Sequence, residues 1–262
     1  MKNLLLDTVQ RLYWWLEQHP LVQRQYQRTP RLVRHTLNRL NPRLFTGLPL
    51  TLLVLIFWFN ASLLSELTED VIESEGMMTF DDGFSLFLYS MRTDQLSQVF
   101  YFFTLFGGRE ATYIVGGILT AIMLYRRRYV GILVFWLVMA GVGLSVQYGK
   151  KYISRDRPSE IAFYAEHNHS FPSGHATTAI SLYGMVAYFL CRHYTSYSKR
   201  VVILGTSAML ILIIGFSRIY LGVHYLTDVL AGFLLGAMWV LLGISLMELI
   251  TFRARKMAAN KV

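Results

Sequence analysis

Three short segments of the sequence bring histidine, basic and hydroxyl side chains together at close spacing. These segments are residues 150–158, 172–175 and 217–228. Transfer of a phosphoryl group spreads negative charge over three equatorial oxygens, so several fixed cations and hydrogen-bond donors are needed to stabilise its transition state. Lys150, Arg157 and Arg218 supply such cations, and the two arginines add planar, fork-like hydrogen bonding to phosphate oxygens. The three segments therefore predict phosphoryl-transfer chemistry.

The second and third segments also contain groups suited to making and breaking bonds. Ser173 and Gly174 precede a predicted helix whose first backbone N–H groups can bind an anion, and glycine lets that anion approach closely. His224 and Asp228 are four residues apart, which brings them together on one face of a helical turn. A carboxylate beside an imidazole fixes its tautomer and raises its nucleophilicity. His175 then remains as an acid that can protonate the leaving oxygen.

Each of these features also has a purely structural explanation. A lone arginine at a membrane interface usually snorkels towards water, Pro-Ser-Gly commonly forms the turn before a helix, and a His–Asp pair often makes an ordinary hydrogen bond. Arg218 and Asp228, however, flank long apolar segments, where ionisable side chains cost free energy and mark functional sites. The combination therefore favours the functional interpretation.

The three segments resemble the three-part signature of the type 2 phosphatidic acid phosphatases, the PAP2 family. The parts of that signature are Lys-x6-Arg-Pro, Pro-Ser-Gly-His and Ser-Arg-x5-His-x3-Asp, and all three match here in the expected order. The resemblance covers about residues 47–250 and includes a layout of six membrane spans, whereas the basic N-terminal arm lies outside it.

This resemblance implies a role for each matching residue. It implies that His224 attacks phosphorus and becomes a phosphohistidine, that Asp228 orients His224, and that His175 is the general acid. It also implies that neither a metal nor another cofactor is needed. The residues that it assigns to phosphate binding are Lys150, Arg157, Ser173, Gly174 and Arg218.

The elements that position these residues are apolar segments of bilayer-spanning length. Of the 262 residues, 54% are hydrophobic and 16% are charged, and the mean hydropathy is +0.39. A soluble domain carries nearer a quarter charged residues, so the sequence predicts an all-α integral membrane protein. We expect a six-transmembrane helical bundle with spans of about 20 residues, near residues 47–65, 110–125, 129–148, 174–191, 201–219 and 227–250.

In this six-span arrangement the three segments emerge on the same side of the membrane. The first segment follows the third span, the second opens the fourth span, and the third joins the fifth span to the sixth. Hydropathy alone does not require the three segments to emerge on one side. Their common side is therefore independent support for a shared site.

A basic arm, residues 1–46, precedes the six-span domain of residues 47–250, and a basic tail, residues 251–262, follows it. The arm is interrupted by Pro20, Pro30 and Pro42, and its apolar residues recur at helical spacing between them. A helix lying in the cytoplasmic interface fits this pattern, and a solvated basic arm fits it equally well. For residues 84–106 we expect short helices on the outer surface, or in part an extension of the second span.

The distribution of Lys and Arg predicts the orientation in the membrane. Of these 25 residues, eight lie in the arm, three in the 126–128 loop, three in the 192–200 loop and four after Phe252. That side is predicted to be cytoplasmic and to contain both termini, in a bacterial inner membrane. The active site then faces the periplasm or exterior, beside an acidic outer loop that includes Asp81. Because topology explains the excess positive charge, nucleic acid is not an expected partner.

Several functions and substrates share the same motifs. A lipid phosphatase acting on an isoprenyl diphosphate, phosphatidate, phosphatidylglycerol phosphate or lipid A is favoured. A phosphotransferase moving phosphate from an isoprenyl diphosphate to lipid A or another acceptor is the alternative, because water and a sugar hydroxyl can each be the second nucleophile.

Two other classes of protein, and a metal site, are less well supported. The vanadate-dependent haloperoxidases resemble the same pocket but are soluble, and a non-catalytic lipid transporter would lack His224 or His175. A metal site at His167 and His169 is weakly indicated, because no carboxylate geometry accompanies them. The oligomeric state is not predicted.

Overall fold

The computed structural model describes residues 2–42 and 44–259. Arg43 of the basic arm and residues 260–262 of the tail lie outside these ranges. Within the described residues the chain forms eleven α-helices and two 3₁₀ turns, and no β-strand, in agreement with the predicted all-α class. The helices are α1 (Lys2–Gln18), α2 (Pro20–Arg28), α3 (Pro30–Leu40), α4 (Leu48–Glu73), α5 (Glu75–Ser90), α6 (Asp94–Thr104), α7 (Arg109–Tyr125), α8 (Tyr129–Ile153), α9 (Gly174–His193), α10 (Tyr197–Tyr220) and α11 (Leu226–Ala259).

The residues group into two compact units. Among the described residues, one consists of residues 2–42, 44–59 and 245–259, and the other, called the larger unit below, consists of residues 60–244.

The N-terminal arm is helical and is divided at its prolines. Pro20 and Pro30 are the first residues of α2 and α3, where a proline needs no N–H partner and its fixed φ suits a helix. The side chain of His19 caps α2, because its Nδ1 accepts the N–H of Leu21 at 3.3 Å. Of the two interpretations of the arm, the interfacial one predicts a helix. The position of these helices at the membrane interface stays a prediction.

Each of the six predicted spans corresponds to a helix. In the part of the chain that the structure describes, four helices are long and apolar enough to cross a membrane, namely α4, α8, α10 and α11. The other two are α7, with 17 residues, and α9, with 20. An α-helix of the length of α7 extends about 26 Å, close to the roughly 30 Å of a bilayer core. Six spans with cytoplasmic termini therefore stay a prediction.

Large apolar side chains cover the outward faces of the helices in the larger unit. Ile114 of α7 is 64% exposed, Leu133 of α8 is 62% exposed and Met209 of α10 is 65% exposed. Proteins in water rarely present a continuous apolar surface of this kind, whereas lipid tails accept it. The exposed faces therefore support a membrane protein.

The helix α9 has a larger buried fraction than α8 or α10, against which it packs. A close approach of α11 to α9 depends on two glycines. A Cβ at Gly236 would lie 2.0 Å from Cγ2 of Ile180, and one at Gly232 would lie 2.7 Å from the carbonyl oxygen of Ser173. This packing holds the start of α9 against the first turns of α11. Small buried residues of α9 opposite these glycines are Ala176, Thr177 and Ser181.

Within residues 84–106, where short helices are expected, the structure has the end of α5, which begins earlier at Glu75, and the whole of α6. Ser74 and Thr93 cap α5 and α6 through their hydroxyl oxygens. The helix α6 packs on α10, where the ring of Phe100 lies 4.7 Å from that of Tyr220. The preceding helix, α4, continues to Glu73 rather than ending near residue 65, because residues 66–73 contain neither glycine nor proline to stop it.

Candidate active site

The three predicted segments lie together in the larger unit, at the ends of α8, α9, α10 and α11. The N–H of Ser173 donates to the carbonyl of Asp228 at 2.9 Å, which joins the second segment to the third. The guanidinium of Arg157 donates to the carbonyl of Val223 at 2.6 Å, which joins the first segment to the third. The three segments are therefore parts of one site.

The first segment leaves α8 through a left-handed turn. Ser154 has φ 49° and ψ 34° and donates its N–H to the carbonyl of Lys150 at 3.2 Å. This conformation ends the helix. Lys150 therefore stays on the last turn of α8, and Arg155 and Arg157 follow in an irregular segment.

The turn between α10 and α11 presents His224. Gly222 has φ 67°, a left-handed conformation that favours glycine, and a Cβ there would lie 2.5 Å from a backbone carbonyl oxygen. The N–H of His224 donates to the carbonyl of Arg218 at 3.2 Å. Beyond it, Oδ2 of Asp228 accepts the N–H of Tyr225 at 3.0 Å, which fixes the carboxylate in the first turn of α11.

His224 lies between an acidic and a basic partner. Its Nδ1 is 3.3 Å from Oδ2 of Asp228, and its Nε2 is 3.2 Å from Nη1 of Arg157. A guanidinium can only donate hydrogen bonds and an ionised carboxylate can only accept them. The geometry therefore assigns the proton to Nδ1 and a lone pair to Nε2.

Burial and neighbouring cations keep His224 neutral. The residue is 1% exposed. Burial lowers the pKa of His224 well below its ordinary value, and the positive charges of Arg218, Arg157 and Lys150 lower it further. A neutral imidazole with its lone pair on Nε2 is able to act as a nucleophile.

Glu166 bridges the two arginines that the sequence assigns to phosphate. One carboxylate oxygen lies 2.7 Å from Nη2 of Arg157, and the other accepts a hydrogen bond from Nη2 of Arg218. Arg218 is fully buried and also donates to the hydroxyl of Tyr164 and, at 2.9 Å, to Oγ1 of Thr104. Burial raises the pKa of Glu166, but Arg218 and Arg157 outweigh burial and hold that pKa below its ordinary value. Sequence reasoning missed Glu166 because no motif spacing includes it.

Backbone carbonyl groups before the second segment hold the other donors. Nζ of Lys150 donates to the carbonyl of His169. Arg157 donates to the carbonyl of Asn168 at 2.5 Å and to that of His169 at 3.2 Å. Over residues 2–42 and 44–259, no group of three or more His, Cys, Asp and Glu side chains is placed to hold a metal ion. His169 thus contributes its carbonyl oxygen, and the weakly indicated metal site at His167 and His169 gains no geometric support.

The second segment forms the N-terminus of α9, of which Gly174 is the first residue. Oγ of the fully buried Ser173 accepts a first-turn N–H at 3.5 Å, as a helix cap does. His175 follows in the first turn, against a tight approach of the 107–108 turn. A Cβ at Gly107 would lie 3.0 Å from the carbonyl oxygen of His175, and one at Gly108 would lie 3.7 Å from its Nε2. The missing Cβ at Gly107 therefore leaves room for the histidine, whereas a Cβ at Gly108 would be in ordinary van der Waals contact with it.

Asp81 and Arg155, which were not among the predicted site residues, lie beside Asp228 in a buried cluster. Arg155 donates to Oδ1 of Asp228 at 2.9 Å and to Oδ2 of Asp81 at 2.8 Å. It also donates to Oγ1 of Thr227 at 2.7 Å, and its guanidinium lies 4.2 Å over the ring of Tyr225. Sequence reasoning saw Asp81 only as part of an acidic outer loop, whereas the structure buries it completely.

Comparison with known proteins finds a match to one family model and to two named phosphatases. The model of the PAP2 superfamily matches residues 130–251. Phosphatidylglycerophosphatase B of Bacillus subtilis (strain 168) is 41% identical over 116 residues, which are 43% of this chain and 55% of that protein. Lipid A 4'-phosphatase of Porphyromonas gingivalis is 27% identical over 168 residues, 59% of this chain and 61% of that protein. The chain thus spans little more than half the length of these two relatives.

Two crystal structures resemble the fold. A transmembrane PAP2 type phosphatidylglycerolphosphate phosphatase from Bacillus subtilis superposes with a TM-score of 0.67 and 30% identity, over 77% of this chain and 96% of that one. LpxE from Aquifex aeolicus superposes with a TM-score of 0.50 and 22% identity, over 62% of this chain and 92% of that one. At that lower identity the likeness extends to the fold alone.

Proposed function

Since the chain belongs to the PAP2 superfamily, we propose that it is a membrane lipid phosphatase that hydrolyses a phosphate ester or anhydride of a lipid. The observation that carries the proposal is the setting of His224. Its Nε2 faces Arg157 at 3.2 Å, and its Nδ1 faces Asp228 at 3.3 Å. A nucleophile beside phosphate-binding cations, with a carboxylate behind it, is the arrangement that phosphoryl transfer needs.

In the first step, Nε2 of His224 attacks phosphorus and forms a P–N bond. The bond between phosphorus and the bridging oxygen breaks, and His175 gives its proton to that oxygen. The lipid leaves as an alcohol, or as a monophosphate where the substrate is a diphosphate. Asp228 stabilises the positive charge that the phosphorylated ring acquires, because Nδ1 keeps its proton.

In the second step, water attacks the phosphorus of the phosphohistidine. His175, now neutral, takes a proton from that water, and the P–N bond breaks. Inorganic phosphate leaves and His224 is neutral again. Both histidines have then returned to their starting forms.

The anion in this reaction replaces the carboxylate of Glu166. Glu166 pairs with the guanidinium groups of Arg157 and Arg218. Carboxylate and phosphate both suit the planar fork of a guanidinium, so the exchange leaves neither arginine unpaired. The proposed phosphate-binding residues are Lys150, Arg157, Ser173, Gly174 and Arg218.

The proposed site faces the periplasm or exterior of a bacterial inner membrane, because most basic residues lie in the opposite loops. A Glu160→Cys variant, with Cys191 replaced by serine, is expected to react with an impermeant thiol reagent in intact spheroplasts. Labelling that requires lysis of the membrane would contradict this orientation.

Phosphatidylglycerol phosphate is the first substrate to test, because both the similar curated protein and the similar crystal structure from Bacillus subtilis are named for its hydrolysis. Lipid A is the second, because another relative is named for it. Phosphatidate and an isoprenyl diphosphate complete the set that the motifs allow.

The direct test measures inorganic phosphate released from these four lipids by the purified protein in detergent. Wild type and the control His35→Ala, which changes an exposed histidine of α3, are expected to release phosphate from at least one lipid. His224→Ala is expected to release none. Phosphate transfer that occurs only when an acceptor lipid is added would favour the phosphotransferase alternative over hydrolysis.

A further inference from the structure

Asp81, Arg155 and Asp228 form a chain of ion pairs that ends at His224. Arg155 lies 2.8 Å from Asp81 and 2.9 Å from Asp228, and Asp228 lies 3.3 Å from His224. Arg155 is 8% exposed, His224 is 1% exposed and the two carboxylates are inaccessible. Buried charges cost free energy unless they are paired. The presence of these three linked ion pairs inside the protein therefore needs a functional or structural reason.

We propose that Asp81 and Arg155 are positioning residues of the phosphatase reaction, and that they set the orientation and the charge that Asp228 presents to His224. The inference rests on the proposed function, because it takes His224 as the nucleophile. Neither residue is one that the motifs specify, since Arg155 lies at an unspecified position between Lys150 and Arg157 and Asp81 lies outside the segment that the family model matches.

Arg155 sets the orientation of Asp228 by holding one of its oxygens. Oδ1 accepts from Arg155, while Oδ2 accepts the N–H of Tyr225 at 3.0 Å and faces Nδ1 of His224. Both oxygens therefore have fixed partners. A carboxylate held in this way keeps the imidazole in the tautomer that leaves the lone pair on Nε2.

Asp81 sets the charge of the cluster. Arg155 alone would neutralise Asp228 and weaken its support for the positive charge that His224 gains during attack. With Asp81 included, the two carboxylates and one guanidinium carry one net negative charge. Away from water this charge acts more strongly than it would at the surface.

Asp81 also makes a structural contact that the test has to separate from its charge. Its Oδ1 accepts the N–H of Thr227 at 3.3 Å, and its Oδ2 accepts the hydroxyl of Thr227. These hydrogen bonds tie α5 to the first turn of α11. A purely structural role for Asp81 would consist of this tie alone.

Charged groups from several elements act on His224. Only Asp81 of α5 and its partner Arg155 change in the variants below, so a shifted pH profile reports on that pair. The other groups are Lys150 of α8, Arg157 and Glu166 of the segment before α9, Arg218 of α10 and Asp228 of α11.

The test compares Asp81→Asn, Arg155→Gln and the double variant, which restores the net charge. We expect the acid limb of kcat/KM, which reports protonation of His224 in the free enzyme, to move to lower pH in Asp81→Asn. It should move to higher pH in Arg155→Gln and return close to wild type in the double variant. Each shift is expected to be about half a unit, since a charge in direct contact shifts a pKa by about 1–3 units and Asp81 acts from further away.

The same assays separate kcat from KM. Asp81→Asn is expected to lower kcat about tenfold, by analogy with the loss caused by removing the hydrogen-bond partner of a metal-bound histidine, while KM for the lipid phosphate changes by less than about twofold. Glu75→Gln removes the same charge from an exposed position of α5. It is expected to leave kcat, KM and the acid limb unchanged.

Lower activity with an unshifted acid limb in both single variants would overturn the proposal, and so would shifts of the same sign. If Arg155→Gln fails to fold, the other two variants still test the proposal. The acid limb should move in Asp81→Asn and should stay close to wild type in the double variant. A wild type that releases no phosphate from any of the four lipids would overturn the proposed function itself. An active wild type with unshifted variants would overturn this inference alone.

Discussion

The two ring nitrogens of His224 face regions of the molecule that are built differently. On the Nδ1 side, Asp228, Arg155 and Asp81 contact one another through buried side chains. On the Nε2 side, the cations are held by backbone carbonyl groups and by Glu166, whose side chain is 23% exposed. One region consists of ion pairs inside the helical bundle, and the other of contacts with an irregular segment.

This difference matches what the proposed reaction asks of each side. Nothing on the Nδ1 side has to leave during the reaction, and removing one partner of a buried ion pair is strongly destabilising. On the Nε2 side, an anionic substrate has to displace the carboxylate of Glu166. The contacts on the Nδ1 side of His224 therefore stay constant during the proposed reaction, whereas those on the Nε2 side are exchanged for contacts with the substrate.

The largest expected effect comes from removing the residue that both regions share. His224→Ala should lose about 10⁵–10⁶-fold in kcat on every substrate, because a covalent step has no substitute once its nucleophile is gone. The loss is measured as phosphate release, together with acid-labile phosphoprotein after brief exposure to substrate. Turnover well above the background, with a lipid or an aryl phosphate, would remove His224 from the nucleophile's role.

Removing the charge of Asp228, on the Nδ1 side, should lower kcat nearly as much. Asp228→Asn keeps the shape of the side chain but loses the charge and favours the wrong imidazole tautomer, which costs about 10⁴-fold in a comparable triad. Its thermal unfolding temperature should also fall, because Arg155 loses one of its two carboxylates. An Asp228→Asn protein with nearly wild-type kcat would mean that the buried side does not support the nucleophile.

Removing the proposed acid should have an effect that depends on the leaving group. His175→Ala should lose about 10²–10⁴-fold on a lipid alkyl phosphate. It should recover much of that rate on p-nitrophenyl phosphate, whose leaving group needs no proton. The control is wild type with the same aryl substrate, which it has to hydrolyse for the comparison to apply. Equal defects on both substrates would contradict the acid assignment.

The smallest expected effect tests the exchangeable side. Glu166→Gln should bind inorganic phosphate or vanadate about fivefold more tightly, because a neutral amide competes less well for the two guanidinium groups by about 1 kcal/mol. The measurement is the inhibition constant at neutral pH, where the lowered pKa keeps the wild-type carboxylate ionised. Glu160→Gln, an exposed acid of the same segment, is the matched control. Weaker anion binding by Glu166→Gln would show that Glu166 supports the arginines rather than competing for them.

The sequence by itself determined the all-helical class and the three segments that meet at the site. Both follow from local physics. Helices and apolar segments have a period that can be read along the chain, and His224 and Asp228, four residues apart, become neighbours once a single helical turn forms. The motifs also contain arginine and histidine next to apolar helices. Ionisable side chains at such positions cost free energy and are therefore expected to have a function.

Only the tertiary structure decided which residues surround the pair of His224 and Asp228. Asp81 and Thr227 are 146 residues apart and Arg218 and Glu166 are 52 apart, so no spacing along the chain links either pair. A carboxylate in an acidic loop looks the same in sequence whether water or an arginine binds it. The packing of α5 and α6 against the ends of α10 and α11 brings Asp81 into the bundle, and the path of residues 154–173 carries Glu166 to the two guanidinium groups. These contacts depend on how distant helices pack, which local sequence patterns do not encode.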